Sequence, residues 1–157
     1  TIEQVNIVDL TDNNSVEVVV SGNGNYVYSI ESINGTYQTS NYFQNLDMGF
    51  YTVYVKDMNG CGIAKEDISV LGAPKFFTPN GDGYNDYWNM KGANATRYSK
   101  IVITIYDRSG KLIKQITPSE VGWDGTYNSE KLPSDDYWYS IVLENGTIYK
   151  GHFSLKR

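Results

Sequence analysis

Residues Tyr137–Leu155 read YWYSIVLENGTIYKGHFSL. Two runs rich in aromatic and β-branched residues flank the pair Asn145-Gly146. Such runs fit a pleated, half-buried surface. Asn-Gly tolerates the positive φ that a tight two-residue turn demands, so the stretch predicts a β-hairpin. The same grammar recurs outward from it. Ser15–Ser21 reads SVEVVVS, Asn25–Glu31 reads NYVYSIE, Phe50–Lys56 reads FYTVYVK and Lys100–Asp107 reads KIVITIYD. Turn pairs punctuate these runs at Gly22-Asn23-Gly24-Asn25, Asn34-Gly35 and Asn59-Gly60. Arg108-Ser109-Gly110 predicts a second hairpin, joining Ile101–Asp107 to Lys111–Ile116. No window sustains a helical period. Short alternating runs at this spacing predict an all-β chain.

Val70-Leu71-Gly72-Ala73-Pro74 interrupts the pattern, because Gly and Pro end strands. The charge changes across it. Residues 1–72 carry 2 Lys against 9 Asp and Glu, net −7, while residues 73–157 carry 11 Lys and Arg against 9 acids, net +2. The expected architecture is two tandem antiparallel β-sandwich (Ig-like) domains, at residues 1–72 and 73–157. Cores of that size need dense side chains, and 14 Tyr, 5 Phe and 3 Trp supply them. An acidic first half repels phosphates, which argues against nucleic acid as a partner. No apolar stretch is long enough for a membrane-spanning helix. The chain starts with Thr1 and shows no signal peptide, and it reads as a fragment of something longer.

Catalytic chemistry finds little support. One cysteine, Cys61, excludes an internal disulfide, and the one histidine, His152, sits in alternation on an expected strand. Cys61 has no cation nearby in sequence to activate it and is expected as a small buried hydrophobe. The pairs Asp135-Asp136 and Glu66-Asp67 fall in polar surroundings, where a carboxylate keeps its ordinary pKa rather than the raised one that acid–base work needs. No nucleophile elbow, phosphate loop or zinc-protease motif is present. A non-enzymatic chain is expected.

Phe77–Asp86 reads FTPNGDGYND. Side-chain oxygens at alternate positions before Gly match part of a calcium loop, with Asn80, Asp82, Tyr84 and Asp86 as candidate ligands. Thr78 stands where such loops begin with Asp, and Asn89 where they end with Glu, so two charged ligands are missing. The same residues equally suit an Asx-rich turn in which side chains accept backbone N–H bonds. Gly122–Thr126, GWDGT, offers Trp123 beside Asp124, either as a sugar-stacking platform or as a cap on the end of a sandwich.

These motifs, in this order, resemble a known family. FTPNGDGYND, then Ile103–Gly110 (ITIYDRSG), then GWDGT with Leu132-Pro133-Ser134, then Tyr149–Arg157 (YKGHFSLKR) are similar to the type B C-terminal sorting domain of the type IX secretion system. That family is also described as the gliding-motility-associated C-terminal domain. Ser109, where the family often has Trp, and Asp135-Asp136, where it has smaller turn residues, depart from its pattern. Residues 1–72, through YVYSI at Tyr26–Ile30, Leu46–Asp57 around GFYTVYVKD, and Asn59-Gly60-Cys61-Gly62, resemble an Ig-like repeat of a gliding-motility surface adhesin. The resemblance implies a non-catalytic module that exports an adhesin across the outer membrane and retains it at the cell surface. It implies two partners, the secretion translocon and an SprF-like outer-membrane barrel protein. The residues expected to meet them are Thr78, Pro79, Asn80, Gly81, Asp82, Gly83, Asn85 and Asp86, together with Lys156 and Arg157. The last two are expected as exposed charges whose loss scarcely alters stability. The alternative is an adhesive module that binds carbohydrate or a surface through exposed aromatics.

Overall fold

The computed structural model describes residues 1–60 and 62–157, so the expectation for Cys61 lies outside the described residues. Every element among the described residues is a strand. The chain divides into two compact units, Thr1–Gly72 and Ala73–Arg157.

The first unit holds two three-stranded sheets. β1 (Ile2–Val8), β2 (Asn14–Val20) and β4 (Tyr42–Leu46) form one, in the order β1-β2-β4. β3 (Tyr26–Ser29), β5 (Gly49–Asp57) and β6 (Ile63–Val70) form the other, in the order β3-β5-β6. All their pairings are antiparallel. Val16 and Val18 from one sheet pack with Tyr28, Val53, Val55, Ile68 and Val70 from the other. These residues alternate along their strands, as a two-sheet core requires. The strand end after β1 is tied back by Leu10 N–H, which donates to Leu71 O, and by Leu71 N–H, which donates to the Asp9 carboxylate at 2.9 Å.

The second unit is built on one five-stranded sheet, ordered β7-β13-β12-β8-β9. Its strands are β7 (Phe76–Phe77), β8 (Val102–Tyr106), β9 (Leu112–Ile116), β12 (Asp135–Val142) and β13 (Ile148–Leu155). The Asn145-Gly146 and Arg108-Ser109-Gly110 hairpins are both present, joining β12 to β13 and β8 to β9. A second layer is formed by the small ribbon of β10 (Thr126–Tyr127) and β11 (Glu130–Lys131) and by a two-way main-chain bridge between Trp88 and Trp123. One pairing departs from the antiparallel rule: β13 runs parallel to β7 at Ser154↔Phe76 and Leu155↔Phe77. The last strand therefore lies inside the sheet at its end. Asp135 and Asp136 are the first residues of β12 rather than turn residues. Arg108 pairs with Asp135 at 2.6 Å, and Ser154 Oγ donates to Asp136 at 2.6 Å, which anchors both acids.

Between the sheet and its cover lies an aromatic core. Phe153 is fully buried and stacks on Trp88, with ring centroids 4.0 Å apart and planes at 10°. Phe77, Trp123, Tyr137 and Tyr139 lie around the same Phe153 ring at 5.9–6.4 Å. Both buried indoles keep a partner: Trp88 Nε1 donates to Pro74 O and Trp123 Nε1 to Thr126 O, each at 2.8 Å. Phe153→Ala should cost about 3–5 kcal/mol by removing this contact and leaving a cavity. The adjacent exposed His152→Ala should stay within about 0.5 kcal/mol. Denaturant melts of the two variants check this, and equal losses would contradict it.

Candidate functional site

The Thr78–Asp86 loop is organised by its own side chains. Asp86 Oδ1 accepts from the N–H groups of Asn80 (3.0 Å) and Gly81 (2.8 Å), and Oδ2 accepts from Gly83 N–H (2.8 Å). Asn80 Oδ1 accepts from Asp82 N–H and Asp82 Oδ1 from Tyr84 N–H. Thr78 N–H closes the loop on Asn85 O at 2.7 Å. These are the Asx-turn bonds that short polar side chains make with nearby backbone. Of the four candidate calcium ligands, Asn80, Asp82 and Asp86 thus turn side-chain oxygens toward N–H donors. Among the described residues no group of three His, Cys, Asp or Glu is placed to hold a metal ion.

Gly125, in the block GWDGT, sits against this loop. A Cβ on Gly125 would lie 2.9 Å from Leu155 Cδ1, 3.0 Å from an Arg157 Nη and 3.3 Å from Pro79 Cγ, and its φ is +82°. Glycine is therefore required there both for conformation and for room. Asp124 Oδ1 turns the chain by accepting from Thr126 N–H and its hydroxyl. Trp123 is only 1% exposed, so it caps the core and offers no sugar platform. Exposed aromatics lie elsewhere, among them Tyr84 within the loop and Tyr87 just after it, at 77% and 52% exposure, and Trp138 on β12 at 37%.

Arg157 gathers these segments. Its Nε donates to Leu132 O (2.9 Å), one Nη to Pro79 O (3.1 Å) and the other to Gly125 O (3.0 Å). Its main-chain N–H donates to Ser134 Oγ at 2.9 Å. Arg157 is exposed, as the sequence led us to expect, but its guanidinium also holds three carbonyls from three segments, which the sequence did not show. Lys156 differs, because its ammonium lies over the Phe76 ring at 4.7 Å, and Phe76 itself is exposed. Beside the junction is a concavity of about 320 Å³, lined by Pro79, Asp86, Tyr87, Asp124, Lys131 and Arg157 among others. The expected loop residues and Arg157 are brought together; Lys156 points to the neighbouring sheet edge. Sequence reasoning missed Gly125, Leu132 and Ser134 as parts of this surface, although the blocks that contain them were visible. The remaining block, ITIYDRSG, forms a turn of its own, in which Asp107 Oδ1 accepts from Ser109 N–H and hydroxyl and from Lys111 N–H.

Comparison with protein families matches residues 71–155 to the CHU_C Type IX secretion signal domain. The chain belongs to that family. The matched span holds the first three blocks and the fourth as far as Leu155, and the junction apart from Arg157 itself. No curated protein matches the sequence. Among solved structures, the chain is similar to a biofilm-associated protein, BSP domain, at 12% identity and a TM-score of 0.36, over 98% of this chain and 29% of that one. So distant a likeness decides nothing about function. Among the described residues of the signal-domain chain, no helix is long and apolar enough to cross a membrane.

Electrostatics of the signal domain follow from the loop geometry. The bonds from Gly81, then Gly83 and Asn80, hold Asp86 below the usual carboxylate range. Asp107 is lowered in the same way, chiefly by the Ser109 hydroxyl and by Lys111 N–H. Both therefore stabilise the fold above the unfolded pKa, and that contribution is lost as pH falls through the lower folded value. Asp9 in the first unit is raised, mainly by burial, so its sign is opposite: its contribution is present at low pH and lost as pH rises. Carboxyl NMR titrations should place Asp86 and Asp107 below, and Asp9 above, the ordinary value of about 3.9. As pH falls below the ordinary carboxylate value of about 3.9, Asp86→Ala should flatten the acid loss of the signal domain's melting temperature. An Asp86 midpoint at or above the ordinary value would contradict the loop's hydrogen bonding.

Proposed function

We propose that residues 73–157 direct export of a large surface adhesin through the type IX secretion system and its retention at the cell surface. Residues 1–72 then serve as an Ig-like repeat of that adhesin. The partners are the secretion translocon and an SprF-like outer-membrane barrel protein. The observation that carries the reading is the junction itself. Three segments separated in sequence converge, at Pro79, Gly125 and Leu132, around one guanidinium. A translocon that serves many cargoes needs a shared feature, and a surface already ordered in the free protein loses little entropy on docking. The docking residues in this reading are Thr78–Asp86, with Lys156 at the flank. The module is non-catalytic.

The test is export from a bacterium that carries a type IX system. Removing residues 73–157 should hold the chain inside the cell, and restoring them should return it to the surface. Unimpaired export of the shortened chain would end the sorting reading. The carbohydrate- or surface-binding alternative is favoured by the exposed Tyr84, Tyr87 and Trp138. Glycan-array binding by the full chain, lost in Trp138→Ala, would support it.

Calcium at Asn80, Asp82, Tyr84 and Asp86 makes a separate claim. A cation that binds only the folded loop stabilises it by about 2.7 kcal/mol at a hundredfold excess over its dissociation constant. With its carboxylates already accepting N–H bonds, the loop is expected to hold its shape without a cation. Melting curves in excess chelator should therefore match those in added calcium. A chelator-induced fall in the signal domain's melting temperature would restore the metal reading.

A further inference from the structure

Arg157 invites the reading that it meets the partner with its charge. Its geometry says otherwise. Arginine carries five N–H donors in a rigid planar fork. Here three nitrogens of that fork are committed to carbonyls at 2.9–3.1 Å. The carbonyls belong to the Thr-Pro-Asn loop, to GWDGT and to the Leu-Pro-Ser segment. No carboxylate is among these partners. The contact with Pro79 joins residues 78 apart in sequence, and those with Gly125 and Leu132 join residues 32 and 25 apart. The fit is close, since a Cβ on Gly125 would lie 3.0 Å from the guanidinium. The sheet and its aromatic core fix where each segment leaves the fold. Arg157 fixes how the exposed parts of those segments stand relative to one another.

We infer that Arg157 is a positioning residue for the sorting surface, which it builds by holding Pro79, Gly125 and Leu132 in register rather than by touching the partner. The inference rests on the sorting reading above. It makes the shape of the guanidinium, not its charge, the property that matters. Lysine keeps the charge but concentrates its donors on one nitrogen, which cannot replace a three-nitrogen fork. Gly125→Ala disturbs the clamp from the other side, with Arg157 left in place.

The experiment uses the full chain with Arg157→Lys, Gly125→Ala and Lys156→Ala, and reads two quantities. One is amide hydrogen exchange, compared between the loops (79–87, 124–126 and 132–134) and the β8 and β12 strands. The other is the exported fraction in a bacterium with a type IX system. Arg157→Lys and Gly125→Ala should each speed exchange in the loops by about tenfold, the scale of a lost charged hydrogen bond. Strand amides should keep their protection, and export should fall in both variants. Lys156→Ala should leave loop exchange unchanged.

Lost export with the loops of Arg157→Lys still protected would make Arg157 a direct contact and overturn the inference. Normal export with unchanged loops would make charge sufficient, which also overturns it. Loss of strand protection together with loop protection would make Arg157 a global stabiliser, again against it. Faster loop exchange with normal export would overturn this surface as the sorting site. That outcome is distinct from failure of the sorting reading as a whole, which the removal of residues 73–157 reports.

Discussion

The stack of Phe153 on Trp88 holds the second unit together. It joins the sheet to its cover, because Phe153 comes from β13 and Trp88 from the chain that follows the Thr78–Asp86 loop. One sheet of five strands has too little regular structure opposite it to bury its inner face. The ribbon of β10 and β11 contributes only two residues a side. Large flat rings fill the gap, since each aromatic buries much more area than an aliphatic residue for few rotors. The indole N–H groups of Trp88 and Trp123 are each met by a carbonyl, so the rings enter the core without stranding a donor.

The same sequence blocks that build this core also build the surface above it. Phe77 turns inward while Thr78 through Asp86 turn outward. Trp123 is buried while Asp124 is exposed, and Gly125, itself buried, lies close to Leu155, Arg157 and Pro79. Phe153 and Leu155 are buried while Arg157 reaches over the loops. Each block thus carries an anchor and a surface element within a few residues. That coupling limits how the blocks can vary. Gly122 shows the limit, because a Cβ there would meet the Trp88 carbonyl at 2.5 Å and its φ is +127°. The bridge between Trp88 and Trp123 needs that closeness.

Much of this fold was legible in the sequence. The strongly alternating runs around residues 15–21, 50–56, 100–107 and 137–155 correspond to β2, β5, β8, β12 and β13. Both hairpins announced by Gly-containing turns are present. Strands β1, β4 and β6 were harder to see for a physical reason. In β6, IAKEDISV, the stretch Lys65-Glu66-Asp67 is exposed, because an edge strand can put charge in water without breaking its ladder. In β4, Asn45 takes a positive φ that no strand pattern encodes. β7 is two residues long and pairs in parallel, and its partner lies far along the chain, beyond any local signal. For the loop Thr78–Asp86, the residue types left two readings open, a calcium loop and an Asx turn, and the hydrogen bonds are those of the turn. The role of Arg157 was not legible, since its hydrogen bonds go to main-chain carbonyls, and a carbonyl leaves no mark on the residue that bears it.

That last point bears on what kind of surface this is. Around the junction, the charged side chains serve the backbone. Asp86 accepts from three N–H groups, Asp124 accepts from Thr126, and Arg157 donates to three carbonyls. Each keeps its unit charge, but its hydrogen-bonding atoms are already directed at the backbone. What the surface does present is a main chain held in a fixed path, with Tyr84 and Tyr87 exposed beside it. Tyrosine is enriched among residues that dominate binding, because it adds area and a hydroxyl with few rotors to freeze. In the proposed reading, a partner meets that fixed shape and those ring faces. The path of the main chain rests in turn on the stack of Phe153 on Trp88 beneath it.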